Sequence, residues 1–156
     1  MARHRGLALG LVAIAAAAAS VGSAATLLLR TGPSDARATG EDIYSRGIGP
    51  DGLPVPRSGG IVSLATGGCS ACHGADGRGL RSDRVSAPNI TYPNLTNPQG
   101  MLLPNGTRGP SYTDQTLRRA VTTGRTPGGS LSPVMPRWRL VGQEWAGLLA
   151  FLKTLR

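Results

Sequence analysis

The residues best suited to chemistry lie in one short stretch, GGCSACHG, at positions 67–74. It contains both cysteines of the chain, Cys69 and Cys72, and His73 follows the second cysteine directly. Two thiols at this spacing can form a disulfide, bind zinc, carry out thiol redox reactions or attach haem covalently, and each use predicts a different protein. The histidine is the feature that separates these possibilities.

The order Cys-x-x-Cys-His is the spacing of c-type haem attachment, in which the two thiols add to the two vinyl groups of haem and the imidazole binds the iron. A zinc site needs four ligands, and besides these three residues the chain offers one other histidine, the distant His4, which is too few unless carboxylates join or chains pair. A thioredoxin-like site needs a βαβ context that the sequence lacks, and a disulfide leaves His73 unexplained. The motif therefore predicts one covalently attached haem c, held by Cys69 and Cys72, with His73 as the proximal iron ligand.

The methionines are the candidates for a second iron ligand, because a Met thioether commonly lies opposite the histidine in cytochromes. Met1 starts the chain, Met101 lies in NPQGMLLPNG and Met135 in LSPVMPRW. Pro133 and Pro136 flank Met135 and stiffen an extended loop, which suits a ligand that must not rearrange. Met135 is therefore expected to be the distal ligand, while Met101 and an open distal position remain alternatives.

Composition also favours a large cofactor. The 156 residues include 23 glycines and 12 prolines but only six aromatic side chains. Glycine and proline at this level predict many turns and loops. A domain of this size with so much loop builds a thin core, which a large apolar cofactor would complete.

The formal net charge is +9, from sixteen arginines and one lysine against eight acidic residues. The basic residues are dispersed, without a run of five or more, so nucleic acid is not an expected partner. A basic surface can instead dock an acidic protein.

The first 30 residues are expected to be a signal-anchor or a signal peptide. Residues 7–29 carry no charge and follow Arg3 and Arg5. A helix of this length reaches across a hydrocarbon core of about 30 Å, which favours an uncleaved anchor. Cleavage near Ala24 or Ala25 is the alternative. In both cases the rest of the chain lies outside the cytoplasm.

The remaining pattern is one of helices and loops. Residues 31–38 are polar and contain proline, which predicts a linker, and a short helix is expected over 39–46. Residues 47–60 predict successive turns. Apolar spacing predicts helices over 113–123 and 142–155, ending the domain that begins at residue 39. The fold class is therefore expected to be all-α.

The chain resembles the class I c-type cytochromes, the mono-haem electron-transfer type of bacterial respiratory chains. The segments that carry the resemblance are GEDIYSRG (40–47), CSACHGADGRG (69–79), APNIT (87–91), YTDQTLRRAVTTG (112–124), LSPVMPRW (131–138) and the final helix. The family implies a small all-α fold wrapped round one covalent haem, with the first and last helices crossing where Gly40 or Tyr44 meets Trp145 and Leu148. It also implies that the carbonyl of Pro88 accepts a hydrogen bond from His73.

Two features depart from the family. About twenty residues separate Tyr44 from Cys69, so residues 47–60 form an inserted loop, named the inserted segment below. Val141 stands where the family has a Ser or Thr helix cap.

The resemblance implies an electron carrier rather than an enzyme, on the periplasmic side of the bacterial cytoplasmic membrane. With His73 and Met135 both on the iron, no small-molecule substrate can reach it, and single electrons pass between redox partner proteins. An acidic docking surface on the partner would face the arginines that follow the haem motif, Arg78, Arg81 and Arg84. Arg137 and Arg139 flank Trp138 and are expected to be solvated or to pair with the haem propionates, with a part in the docking surface as the alternative. The alternatives are an open-site haem protein that binds a gas or reduces peroxide and, less favoured, a structural CxxC zinc protein.

Overall fold

The computed structural model of the chain describes residues 32–60, 67–81 and 86–156. The leader, including the membrane helix expected over residues 7–29, lies outside the described residues. Within the described ranges, no helix combines the length and the apolar character that crossing a bilayer requires.

The described part of the chain contains five helices and six short strands, joined by loops. The helices are α1 (Pro33–Arg46), α2 (Ser70–His73), α3 (Tyr92–Leu95), α4 (Asp114–Thr123) and α5 (Gly142–Leu152). The strands have two residues each: β1 (Arg57–Ser58), β2 (Leu80–Arg81), β3 (Ser86–Ala87), β4 (Arg125–Thr126), β5 (Gly129–Ser130) and β6 (Arg137–Trp138).

The expected linker over 31–38 is wrong from residue 33 onward, because α1 already begins at Pro33. Proline is well tolerated in the first helical turn, where its missing N–H would have no helical partner. Asp35 lies in the same turn, where its negative charge interacts favourably with the positive end of the helix dipole. The helix ends as expected at Arg46, since Gly47 adopts a left-handed conformation with φ of 72°.

The helix expected over 113–123 is confirmed as α4. Thr113 caps it, accepting a hydrogen bond from the Thr116 N–H at 3.2 Å. Gly124 ends it with a φ of 77°. The buried face consists of Leu117, Ala120 and Val121, the residues that the apolar spacing indicated.

The last helix, α5, is three residues shorter than the expected 142–155. Val141 offers no side-chain acceptor to cap it, but the carboxylate of Glu144 accepts a hydrogen bond from the Val141 N–H at 2.7 Å. After Leu152 the chain forms a turn, with the Leu155 N–H bonded to the Leu152 carbonyl at 3.1 Å. Leu155 nevertheless stays buried, so the apolar pattern continues past the end of the helix.

α1 and α5 cross in close contact at two glycines. A methyl group on Gly40 would overlap the carbonyl oxygen of Gly147, and one on Gly147 would lie 2.7 Å from the Ala36 carbonyl oxygen. The backbone nitrogen of Leu148 lies at the same contact. The resemblance implied that Gly40 would meet the last helix here.

Within residues 32–60, 67–81 and 86–156, three antiparallel strand pairs connect the loops. β1 pairs with β6, β2 with β3, and β4 with β5. The first pair joins the end of the 47–60 segment to the chain just after Met135. No helix forms in 47–60, as the turn-rich composition predicted.

Among the described residues, one buried cluster lies between these elements. Its members are Ile43, Tyr44, Val55, Leu95, Met101, Tyr112, Leu117, Ala120, Val121, Trp138, Leu140, Trp145, Leu148, Leu152 and Leu155. Val55 belongs to the inserted segment, which therefore contributes to the core as well as to the surface.

Candidate functional site

One cavity brings together the residues that the sequence singled out. Its volume is about 730 Å³, within the usual range for cofactor and ligand pockets of about 300–1,000 Å³. Cys69, Cys72, His73, Pro88 and Met135 all line it. Most of the remaining wall is aliphatic, aromatic or glycine.

Cys69 directly precedes α2 and Cys72 lies within it, and both are free thiols that are partly buried. The carbonyl of Cys69 accepts hydrogen bonds from the N–H groups of Cys72, at 3.2 Å, and His73, at 3.0 Å. This single helical turn brings all three side chains to the cavity. Burial raises the pKa of the Cys69 thiol to about 12, so the thiol is protonated at neutral pH.

α1 holds the cysteine segment in place. The hydroxyl of the fully buried Tyr44 donates to the carbonyl of Gly74 at 2.6 Å, and Ser70 Oγ donates to the carbonyl of Ser45 at 3.0 Å. A side chain at Gly68 would overlap the carbonyl of Tyr44. Burial raises the pKa of Tyr44, so its proton stays available for the hydrogen bond.

His73 is buried, and its Nδ1 lies 2.9 Å from the carbonyl oxygen of Pro88. A carbonyl can only accept, so Nδ1 carries the proton and Nε2 keeps its lone pair. Burial lowers the pKa of His73, with the Pro88 hydrogen bond opposing it, and the imidazole is therefore neutral at pH 7.

Nε2 of His73 has no hydrogen-bond partner in the described part of the chain. Every fully buried side-chain nitrogen or oxygen in those ranges has a hydrogen-bond partner. Because Nε2 has none, it is not fully buried and is accessible, and His73 lines the cavity. An accessible, unprotonated imidazole nitrogen is the form that binds a metal.

A glycine sets the position of Pro88. Gly79 has a φ of 87°, and a methyl group there would overlap the carbonyl of Ala87 and lie 2.9 Å from the carbonyl carbon of Pro88. Its N–H donates to the His73 carbonyl at 2.8 Å. The β2–β3 pairing, Leu80 with Ala87, holds the two segments at this distance.

Met135 lies on residues 131–136, here named the Met loop, and its side chain is partly buried at the cavity wall. Its N–H donates to the Ser132 carbonyl at 3.1 Å. Met101 also lines the cavity and is more deeply buried, at 4% exposure. The cavity thus brings together both methionines that the sequence offered as candidate distal ligands, Met135 and Met101.

Sequence reasoning assigned no site role to Arg57 and Trp138, two further residues of the cavity wall. The Arg57 guanidinium lies 4.8 Å from the Trp138 ring centroid and donates to the carbonyl of Gly67 at 2.5 Å. Arg57 is on β1, in the inserted segment. Nothing in the sequence signals that this segment pairs with β6, so no pattern could have found the contact.

The arginines named in the sequence analysis do not line the cavity in the described part of the chain. Arg78 lies 3.6 Å from Asp76, and its guanidinium also donates to the Arg156 carbonyl at 2.9 Å. Arg81 donates to the Pro104 carbonyl. Arg84 lies outside the described residues.

Arg137 and Arg139 differ in their surroundings. The Arg137 guanidinium turns into the Met loop and donates to three of its carbonyls, so Arg137 is partly buried and not fully solvated. Its pairing with haem propionates stays a prediction. Arg139 is exposed, as the solvated alternative expected, and its side chain makes no hydrogen bond or ion pair with the described residues.

The donor set fits haem better than zinc. In the described ranges, no group of three His, Cys, Asp or Glu side chains is close enough to hold a metal ion by itself. Two thiols and an accessible imidazole nitrogen are the groups that covalent haem attachment uses, and a thioether beside a mostly apolar space is a common second iron ligand.

Comparisons with protein-family models, with curated proteins and with solved structures found no match to this chain.

Proposed function

We propose that the chain is a mono-haem c-type cytochrome that carries single electrons between redox partner proteins. One observation supports this above the others. Residues from four separate segments, Cys69 with Cys72 and His73, Pro88, Met101 and Met135, meet at one mostly apolar cavity of about 730 Å³. Helix packing alone would not need two thiols, an imidazole and two thioethers at the same cavity.

In this proposal each residue has a distinct part. Cys69 and Cys72 would hold haem c through thioether bonds. His73 would bind the iron through Nε2, while Pro88 keeps the proton on Nδ1 and raises the basicity of the ring. Met135 would bind the opposite face. Haem bound in this way supplies reversible one-electron chemistry at iron.

The cavity also offers a counter-charge for the haem propionates. Arg57 is the one Lys or Arg among the described residues that line it. We assign this part to Arg57 because Arg57 lies on the cavity wall and Arg137 does not.

The proposal extends to location and partners. The uncharged residues 7–29 would anchor the domain on the periplasmic side of the cytoplasmic membrane, and the basic surface would dock an acidic protein. Neither nucleic acid nor a small-molecule substrate at the iron belongs to this proposal.

The experiment is an absorption spectrum of the reduced protein, expressed in a bacterial host that attaches haem c. A low-spin c-type spectrum that carbon monoxide leaves unchanged supports a carrier with both axial positions filled. A spectrum that shifts fully on adding carbon monoxide would support the open-site alternative instead. A colourless protein that binds one equivalent of zinc would support a structural zinc site.

A further inference from the structure

The side chain of Arg137 is folded back onto the loop that precedes it. Its guanidinium donates to the carbonyl of Met135 and, through Nη2, to the carbonyls of Leu131 at 3.1 Å and Ser132 at 3.2 Å. Guanidinium can only donate and carbonyls can only accept, so the direction of each bond is fixed. One planar cation thus binds three carbonyl oxygens of the Met loop.

The guanidinium is itself held against α4. Gly124, which ends that helix, faces Arg137 so closely that a methyl group there would overlap the guanidinium. The carbonyl of Gly124 also accepts a hydrogen bond from the N–H of Leu131 at 2.7 Å. The backbone of Arg137 pairs with Ser58 in the β1–β6 ladder. Arg137 therefore links the Met loop to α4 and to the inserted segment.

We propose that Arg137 is a positioning residue that holds Met135 at the distal face of the cavity by fixing the carbonyls of its loop. The inference rests on the proposed function, in which Met135 binds the iron. Pro133 and Pro136 restrict φ within the loop, but they add no donor that could tie it to the rest of the protein. The three hydrogen bonds from Arg137 supply such a tie, and a lysine ammonium cannot reproduce the planar fork.

Imidazole binding to the oxidised, haem-loaded protein tests this inference, because imidazole must displace the distal ligand. Arg137→Gln should raise the imidazole affinity by about 10- to 100-fold, the factor expected for losing a hydrogen bond to a charged group. Arg137→Lys keeps the charge but loses the planar fork. Its affinity for imidazole should therefore fall between those of the unaltered protein and Arg137→Gln. Arg139→Gln removes the same charge two residues away and should leave the affinity unchanged.

A general loss of stability must be separated from the loss of positioning. Tyr92→Phe removes a hydrogen bond to Asp114 at a site away from the cavity. It should lower the unfolding free energy without raising the imidazole affinity. Wild-type imidazole affinity in the Arg137 variants would overturn the inference. If Arg137→Gln does not accumulate with haem, Arg137→Lys decides the question in the same titration.

Met135→Ala distinguishes the two levels of the proposal. It should bind imidazole more tightly than any Arg137 variant, because no thioether remains to be displaced. An unchanged affinity in Met135→Ala would contradict Met135 as the distal ligand, and this inference with it. A raised affinity in Met135→Ala together with unchanged Arg137 variants would contradict only the role of Arg137.

Discussion

Gly40 and Gly147 lie directly against each other where α1 crosses α5, with the carbonyl oxygen of Gly147 in the space that a side chain on Gly40 would occupy. This contact lets two helices that are far apart in the chain approach closely. Tyr44 and Ser45, which hold the cysteine segment, lie one turn further along α1. The crossing therefore sets the position of the candidate site as well as of the core.

Gly40→Ala should lower the unfolding free energy by about 1–3 kcal/mol, because the new methyl group overpacks a rigid backbone contact. Helix propensity alone would favour alanine, so the direction of the change tests the contact. Gly142→Ala is the control, since nothing lies within 4 Å of a methyl group at that position of α5. Denaturant unfolding of the haem-loaded variants measures both. Equal stabilities would show that the crossing is looser than described.

Gly79→Ala should disturb the hydrogen bond between His73 and Pro88, because the methyl group would overlap the Ala87 carbonyl. In the reduced protein, hydrogen exchange at Nδ1 of His73, followed by NMR, should become faster. Gly52→Ala is the matched control, since Gly52 has a similar φ of 77° but open space around it. Exchange that is equally fast in both variants would assign the effect to backbone strain.

Met135→Ala and Met101→Ala should separate the two methionines of the cavity. Loss of Met135 should abolish the weak charge-transfer band of oxidised, Met-ligated haem at the red end of the spectrum and lower the reduction potential. Loss of the buried Met101 should keep the band and cost about 2–5 kcal/mol of stability. Loss of the band in Met101→Ala alone would reverse the assignment.

Asp114 should contribute a small, pH-dependent part of the stability. Its pKa is lowered chiefly by the hydrogen bond from Lys153 at 2.7 Å, with that from Tyr92 adding to the effect. A lowered folded-state pKa gives stability that is present above the unfolded value of about 3.9 and is lost as pH falls through the folded-state pKa.

Asp114→Asn should therefore cost at most about 1 kcal/mol at pH 7, since the pair is half exposed, and less at pH 3. Glu41→Gln, at an exposed position on α1, is the control. Unfolding free energies across this pH range make the comparison. A cost for Asp114→Asn that does not change with pH would contradict the ion-pair account.

Electron transfer to an acidic partner should slow as salt rises, because the screening length falls to about 8 Å at 0.15 M. Charge reversal at the exposed Arg81 should weaken the salt dependence and leave the haem spectrum unchanged. Stopped-flow rates over a range of ionic strength measure this. Rates that do not change with salt would favour encounter by confinement at the membrane, with the anchor setting the effective concentration.

The parts of this structure that could be predicted are those encoded locally. The apolar spacing of Leu117, Ala120 and Val121 and the glycine after Thr123 predicted α4 because one helix face and one cap suffice. The polar residues before Thr39 favoured a linker, but their helix depends on packing against α5, which no local pattern reveals. Tertiary contacts overrode local composition there.

The candidate site divides in the same way. The cysteines and His73 are contiguous, so their chemistry is visible in a single stretch of sequence. Pro88 and the crossing helices followed from the family resemblance. The positions of Arg57 and Arg137 depend on the pairing of β1 with β6. Strands of two residues are too short to give a sequence pattern that predicts this pairing.

Acid-acetone extraction of the denatured protein, after expression with haem c maturation, shows whether Cys69 and Cys72 bind haem covalently. The colour and one haem per chain should stay with the polypeptide, and replacing both cysteines with alanine should release them. Complete extraction of haem from the unaltered protein would show that neither thiol is bonded to it.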